Sequence, residues 1–198
     1  MRISCAQLAW AMPLALAACG SESGPTAPHL PLSAVFNSGS GVEIRVSGAG
    51  VVNFSLAGVP NGKFQFVAHA RADGSAWGHF YQSRETAAGL VEFSGEVICL
   101  TVDPAFPGRA RIGGIVTENN STNPLFLTVN HEVGAHVWFR VEDGGVGDPS
   151  LDKSTTYGFK PTLVDTSPQY CALPFDGLPW WNPNSIIPLL QGNIDVTY

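Results

Sequence analysis

The 198-residue chain has few charged residues, and this shortage limits the partners that it can have. Asp, Glu, Lys and Arg make up 13% of the sequence, with sixteen acidic against ten basic side chains and a net charge of −6 at pH 7. An acidic chain whose few Lys and Arg are scattered offers no positive patch for phosphate groups. The composition therefore predicts no binding to nucleic acid or to anionic lipid surfaces.

Long apolar runs and helical periodicity are also missing. No stretch approaches the roughly 20 apolar residues with which a helix crosses a bilayer. No segment of useful length repeats its apolar residues at helical spacing. Instead, 22 Gly and 15 Pro interrupt apolar segments throughout the chain. This composition predicts many short strands joined by turns.

Signatures of catalysis and of metal binding are missing as well. No serine stands in a Gly-x-Ser-x-Gly elbow, and Cys99 lies in an apolar segment that does not favour a reactive thiolate. His131 and His136 are five residues apart, whereas a zinc-protease motif places its histidines four apart on a helix. We therefore expect no catalytic residue, no metal ligand and no cofactor. An enzyme is less favoured than a protein without catalytic activity.

The N-terminal segment carries the most specific pattern in the chain. Arg2 precedes an apolar run over residues 8–18, which Pro13 interrupts, and small residues follow as at a signal-peptide cleavage site. The sequence Leu16-Ala17-Ala18-Cys19-Gly20 resembles the lipobox of bacterial lipoproteins. That resemblance implies lipid attachment at Cys19 and, from Gly20, delivery to the outer membrane if the source has one. The alternative is an ordinary secretory signal that leaves the cysteine unmodified.

The resemblance divides the chain into three parts. Residues 1–18 form the signal peptide, residues 19–34 form a tether rich in Gly, Ser and Pro, and residues 35–198 form one folded domain. Two or more acyl chains anchor a protein stably, so the membrane is contacted through the lipid alone. In the oxidising space outside the cytoplasm, Cys99 and Cys171 predict a disulfide. The alternative is two buried thiols too far apart to meet.

Apolar residues at every second position predict an all-β domain. The best-determined hairpin pairs residues 63–71 with 76–82 through the turn Ala72-Asp73-Gly74, with Gly74 in the left-handed conformation. Antiparallel pairing of successive strands favours a single β-barrel of about eight to nine short strands, with a two-sheet sandwich as the alternative. The other strands are predicted at residues 42–46, 51–56, 91–102, 109–118, 125–130, 133–142, 155–164 and 193–197.

Several runs in this domain resemble a group of bacterial secreted proteins of unassigned function. They are residues 68–75 with Gly78-His79-Phe80, residues 95–100 with 111–114, residues 141–147, and the closing stretch 190–196. These motifs cover most of the domain, but they consist of turns and core strands. The resemblance therefore implies a β-rich fold and no particular reaction, substrate or catalytic residue.

Adjacent tryptophans form the most unusual local feature of the domain. Trp180 and Trp181 stand in a Pro-rich segment, where their aromatic faces could stack on a sugar ring or another flat ligand. The alternative is that this segment closes one end of the barrel and buries one or both indoles. These two residues are the weak ligand-binding candidates of the sequence.

Two further features of the sequence are candidate binding sites, namely one face of the predicted hairpin and an acidic loop. In the predicted hairpin, His69 lies opposite Trp77, and His69 and His79 are diagonal neighbours on the same face. These side chains could form a weak metal site or a stacking site, but an ordinary half-exposed sheet face is the favoured interpretation. Residues 142–152 hold four carboxylates among glycines, and calcium prefers such oxygen ligands. The spacing matches no EF-hand, so an ordinary solvated loop remains the alternative.

Together these patterns predict a membrane-anchored lipoprotein of the cell envelope, located outside the cytoplasm. Its β domain is expected to be a non-catalytic module that binds a small ligand or an envelope partner. The alternatives are an isomerase-like barrel enzyme and a purely structural envelope protein. A binding module needs an apolar or aromatic pocket, whereas the enzyme needs a histidine and a carboxylate that meet in a polar cavity.

Overall fold

Nine strands make up most of the regular structure in the computed structural model, which describes residues 43–54, 60–127, 130–159, 164–175 and 186–198. One short helix, α1 (Ser167–Cys171), and 3₁₀ turns at Pro124–Phe126 and Pro149–Leu151 lie between strands. The predicted all-β class is confirmed. The strands are β1 (Ile44–Val52), β2 (Gly62–Ala70), β3 (Ala76–Thr86), β4 (Gly89–Val102), β5 (Arg109–Asn119), β6 (His136–Glu142), β7 (Lys153–Ser154), β8 (Gly158–Phe159) and β9 (Ile187–Thr197).

Eight of these strands form one closed antiparallel barrel. Strands β1 to β6 pair in sequence, β6 pairs with β7, β7 with β9, and β9 returns to β1. The extra strand β8 pairs with β6 beside β7. Each barrel strand thus has a hydrogen-bonded neighbour on both sides. The predicted barrel is confirmed, and the sandwich alternative is wrong.

The hairpin predicted over residues 63–82 forms with the expected register. Phe66 pairs with Phe80 and Ala70 with Ala76, so alternate residues of both strands face the barrel interior. Gly74 has a φ of 84°, and its N–H donates to the carbonyl oxygen of Arg71. Because only glycine adopts this φ at little cost, the turn residue and the register were both readable from the sequence.

The strands predicted at residues 42–46 and 51–56 overlap one strand, β1, which ends at Val52; residues 42, 55 and 56 lie outside the described part of the chain. β1 continues through Gly48 and Gly50, which do not form a turn. A Cβ at Gly48 would lie 2.8 Å from ring carbon Cε1 of Phe66, and one at Gly50 would lie even closer to the carbonyl oxygen of Gln191. These glycines therefore mark close packing inside a strand rather than its end.

Of the strand predicted at residues 125–130, residues 125–127 lie in or at the end of a 3₁₀ turn instead, and residues 128–129 lie outside the described part of the chain. Asn123 caps that turn by accepting a hydrogen bond from the Leu125 N–H. The next strand begins at His136 rather than at residue 133, since the preceding residues form a turn with Gly134 at a φ of 94°. Val133, which was expected to face inward, is 66% exposed.

The C-terminal third also differs from the prediction. Within the described residues, the strand predicted at 155–164 is paired only at β8, whereas β9 begins six residues earlier than the predicted 193–197. Helix α1 was not expected. It is short but well capped, because the side chains of Thr166 and Gln169 form a reciprocal capping box.

Aromatic rings fill the barrel axis. The ring centroids of Phe139 and Tyr157 are 4.4 Å apart, and Tyr157 packs at 5.6 Å on both Phe80 and Phe93. His131 continues the series, with its ring centroid 4.7 Å from that of Phe93. An eight-stranded barrel is just wide enough for side chains to fill it, and here these rings pack against one another in its core.

The barrel closes across a narrow seam between β6 and β9. Strand β7 supplies two residues there, each paired on both sides. The carboxylate of Asp152, which is 1% exposed, accepts hydrogen bonds from the N–H groups of Gly144 at 2.9 Å and Ile194 at 2.7 Å. Asp143 accepts another from the Val196 N–H at 3.1 Å. Two carboxylates thus replace part of the main-chain ladder at this seam.

Candidate functional site

Three of the predicted site residues lie outside the described part of the chain. They are Cys19, where lipid attachment was expected, and the adjacent Trp180 and Trp181. Lipid at Cys19 and a stacked ligand at the two tryptophans therefore stay predictions.

The predicted pairing of Cys99 with Cys171 is present. Their Sγ atoms lie at bonding distance and their Cα atoms are 6.2 Å apart, within the usual range for a disulfide. Cys99 belongs to β4 and Cys171 ends α1. The bond thus ties α1 to the outer face of the barrel.

Helix α1 and the residues after it cover the outer face of β5 and β6. Arg111 is buried there, and its guanidinium donates to the carbonyl oxygen of Tyr170 at 3.1 Å and to that of Leu173. Trp138 stacks on Tyr170 with ring centroids 5.5 Å apart. Desolvation lowers the pKa of Arg111 to about 10, so it remains a cation at neutral pH. Its hydrogen bonds hold the covering segment in place.

The outer face of the β2–β3 hairpin brings His69 and Trp77 together, as the register predicted. Their rings are stacked with centroids 5.0 Å apart and planes 7° from parallel. The guanidinium carbon of Arg71 lies 4.2 Å from the Trp77 ring centroid, and Nδ1 of His69 contacts the carboxylate of Glu43. The indole therefore packs against groups of the protein itself.

His131 lies inside the barrel rather than on a strand face. It is 1% exposed, and its ring centroid is 4.7 to 4.8 Å from those of Phe93, Phe126 and Phe159. Desolvation, together with the positive charge of Arg84, lowers its pKa to about 4. In the described structure no carboxylate contacts this imidazole. Its place in the fold is that of an aromatic core residue, neutral at physiological pH.

The four carboxylates of the acidic loop at residues 142–152 do not converge. Glu142 forms ion pairs with Arg109 and Lys153, both at 3.1 Å. Asp148 caps the following 3₁₀ turn, and the other two carboxylates hold the barrel seam. Across the described ranges, no group of three or more His, Cys, Asp or Glu side chains is arranged to hold a metal ion.

A cavity opens at the barrel end where the β2–β3 turn, the β4–β5 turn and Tyr198 meet. We call it the mouth pocket. Its volume is about 310 Å³, at the lower end of the range typical of small-molecule sites. Most of its wall is apolar, and Arg71, Thr101, Asp103 and the hydroxyl of Tyr198 add polar groups. The lining residues are Ile44, Ala70, Arg71, Gly74, Leu100, Thr101, Val102, Asp103, Pro104, Pro107 and Tyr198.

The ionisable groups of the mouth pocket are not poised for acid–base chemistry. Asp103 is buried, and its carboxylate accepts a hydrogen bond from the Ala105 N–H at 2.9 Å. The hydroxyl of Tyr198 donates to the carbonyl oxygen of Pro107. Desolvation and the charges of Asp103 and Asp143 raise the pKa of Tyr198 to about 12, so it stays protonated. The pocket presents an apolar surface with little reactive chemistry.

Sequence reasoning missed the mouth pocket because its wall is assembled from distant segments. Ile44 begins β1, Leu100 lies near the end of β4, and Tyr198 follows β9. In the Pro-rich β4–β5 turn, Phe106 stands between two residues of the pocket wall and is 54% exposed. A single exposed apolar side chain is common on protein surfaces, so it gave no signal of the pocket.

Comparisons with known proteins reveal no relative from which a function could be transferred. No protein-family model, no curated protein and no solved structure matches the chain. In the part of the chain that the structure describes, no helix has the length and apolar character to cross a membrane. The mouth pocket is therefore the feature of the described structure on which a proposal about function rests.

Proposed function

We propose that this protein is a lipid-anchored binding protein of the bacterial cell envelope, whose barrel holds a small apolar ligand in the mouth pocket and does not transform it. The apolar wall of that pocket, about 310 Å³ in volume, is the observation that carries the proposal. The lipobox-like sequence around Cys19 supports the anchor. The disulfide between Cys99 and Cys171 is of the kind that persists in oxidising compartments.

The packed barrel axis favours binding over catalysis inside the barrel. An enzyme of that kind needs titratable groups that meet in an enclosed polar space. Here Phe139 and Tyr157 occupy the axis, and the histidine described there, His131, contacts phenylalanine rings. The space left for a ligand is at the barrel end, where Leu100 and Ala70 close it from the inside.

Site-specific photolabelling tests the ligand site. A decanol derivative carrying a diazirine is irradiated with the full chain, and the labelled peptides are mapped by mass spectrometry. We expect labels in the pocket-lining segments around Ile44, Val102 and Tyr198. Val102→Trp fills the pocket and should reduce this labelling severalfold, whereas Val133→Trp, the same change at an exposed loop site, should not. Labelling spread evenly over the surface would refute the proposed site.

Intact mass tests the proposed anchor independently of the ligand. The chain extracted from the membranes of a bacterial host should begin at Cys19 and carry the added mass of its acyl chains. A Cys19→Ala variant should lack that mass and appear in the soluble fraction. An unmodified Cys19, or a different N-terminus in the membrane-extracted protein, would contradict the lipoprotein assignment.

A further inference from the structure

We infer that the mouth pocket selects amphiphiles with a negatively charged head, such as medium-chain carboxylates, and that Arg71 recognises the head. This inference rests on the proposed binding function and adds the chemical class of the ligand. It depends on how apolar and charged groups are distributed between the inside and the rim of the pocket.

The inner wall of the mouth pocket suits a hydrocarbon chain. Ile44, Ala70 and Leu100 are core residues that close the inside, and Val102 packs against the same core. Burial of apolar surface is the main favourable contribution when an alkyl chain leaves water. Because the barrel axis beyond these residues is filled by side chains, the chain length that fits is limited.

Arg71 places a positive charge at the rim. It lines the pocket, is itself exposed, and lies with its guanidinium over the Trp77 indole at 4.2 Å. Stacking on an aromatic face restrains a guanidinium while leaving its N–H groups free to donate. Its charge helps to lower the pKa of Asp73, but among the described residues no carboxylate lies within ion-pair distance of the guanidinium. The planar fork matches a carboxylate head, which it can bind through two hydrogen bonds.

The carboxylates near the rim accept hydrogen bonds from the protein, although the charges of Asp103 and Asp143 still raise the pKa of Tyr198 on the pocket wall. Asp103 is 4% exposed, its Oδ1 accepts the Ala105 N–H at 2.9 Å, and its charge is attracted to the guanidinium of Arg111. Asp73, beside the turn, accepts the Ser75 N–H at 2.8 Å. Of the two charged residues that line the pocket, Arg71 is therefore the one that a ligand head can reach.

Competition against the diazirine–decanol label separates the head-group preferences. Unlabelled decanoate, decanol and decylammonium share a chain and differ in charge. We expect decanoate to compete at concentrations about tenfold lower than decanol, as one charge-assisted pair commonly provides. Decylammonium should be the weakest competitor. The full chain is used throughout. Only the label on pocket peptides is measured, so probe that partitions into detergent or lipid does not contribute to the result.

Substitution of Arg71 provides the decisive control. Arg71→Gln should reduce decanoate to the level of decanol, whereas Arg71→Lys keeps the charge and should retain most of the preference. Arg45→Gln removes an equally exposed arginine from β1, away from the pocket wall, and should change nothing. Equal competition by decanoate and decanol, an unchanged preference in Arg71→Gln, or the tightest binding by decylammonium would each overturn the head-group inference while leaving an apolar site. Absence of any pocket label would overturn the proposed function as well.

Discussion

Replacement of His131 by phenylalanine should remove a large part of the acid sensitivity of this barrel. The imidazole is 1% exposed, and its pKa is lowered from 6.5 to about 4, mainly by desolvation and secondly by Arg84. The unfolded chain therefore binds a proton more readily than the folded one between these two values. The free energy of unfolding is at its full value above about pH 6.5 and declines as the pH falls towards about 4. A shift of this size corresponds to about 3 kcal/mol.

Denaturant unfolding followed by tryptophan fluorescence measures this effect. The free energies of unfolding of wild type and His131→Phe are compared at about pH 7 and about pH 4, and the difference isolates His131 from the other titrating groups. At neutral pH the variant should be as stable as wild type or more so, because Nδ1 of His131 lacks a hydrogen-bond partner. His79→Phe removes an exposed imidazole on β3, and its free energy of unfolding should fall as much between about pH 7 and about pH 4 as that of wild type.

If the free energy of unfolding falls by the same amount between about pH 7 and about pH 4 in wild type and in His131→Phe, the reasoning is refuted. Burial of His131 would then not disfavour its protonation. A direct titration gives a second check. The imidazole of His131, followed by NMR on the folded protein, should titrate near pH 4. A midpoint at or above that of a free histidine, about 6.5, would contradict the structure.

Three further predictions concern stability. Replacing Cys99 and Cys171 by alanine opens a crosslink with a sequence separation of 72 and should lower the free energy of unfolding by about 4 kcal/mol in denaturant titrations; no measurable loss would mean that the bond does not form. Gly48→Ala should cost about 1–3 kcal/mol, because its Cβ meets the Phe66 ring, and a Phe66→Leu partner should make the double mutant less than additive in a thermodynamic cycle. Asp152→Asn should cost about 2 kcal/mol and speed hydrogen exchange in β9; unchanged exchange there would count against the role given to this carboxylate.

The hairpin at residues 63–82 was predictable because its signals are local and mutually consistent. Alternating apolar residues define the inward face, and Gly74 defines the turn, so Phe66 and Phe80 had to share a side. The barrel followed from repeated pairing of this kind. The pairing of Cys99 with Cys171 was predicted for a different reason, since the assignment of Cys5 and Cys19 to the N-terminal segment leaves two cysteines in the domain.

The features that escaped prediction depend on contacts between distant segments. Gly48 lies between two predicted strands, but it is a strand residue because the Phe66 ring leaves no room for a side chain there. Val133 was predicted to begin a strand, but the turn at Gly134 places it in solvent. The mouth pocket exists only after Ile44 and Tyr198 are brought together by barrel closure. Periodicity reports which residues are buried in a strand, but it contains no information on which distant residue covers them.

The narrow seam beside β7 has a consequence for how the protein behaves at high concentration. If the two residues of β7 and the carboxylate of Asp152 release β9, then one edge of β9 exposes unpaired N–H and C=O groups, while β6 keeps its pairs with β7 and β8. Such edges are templates for pairing with another chain. Two opened molecules can then pair along these β9 edges while each β9 keeps its pairs with its own β1, and protein concentration decides between closure of the barrel and pairing of two copies. The shortness of β7 thus makes this seam a point at which two copies can associate.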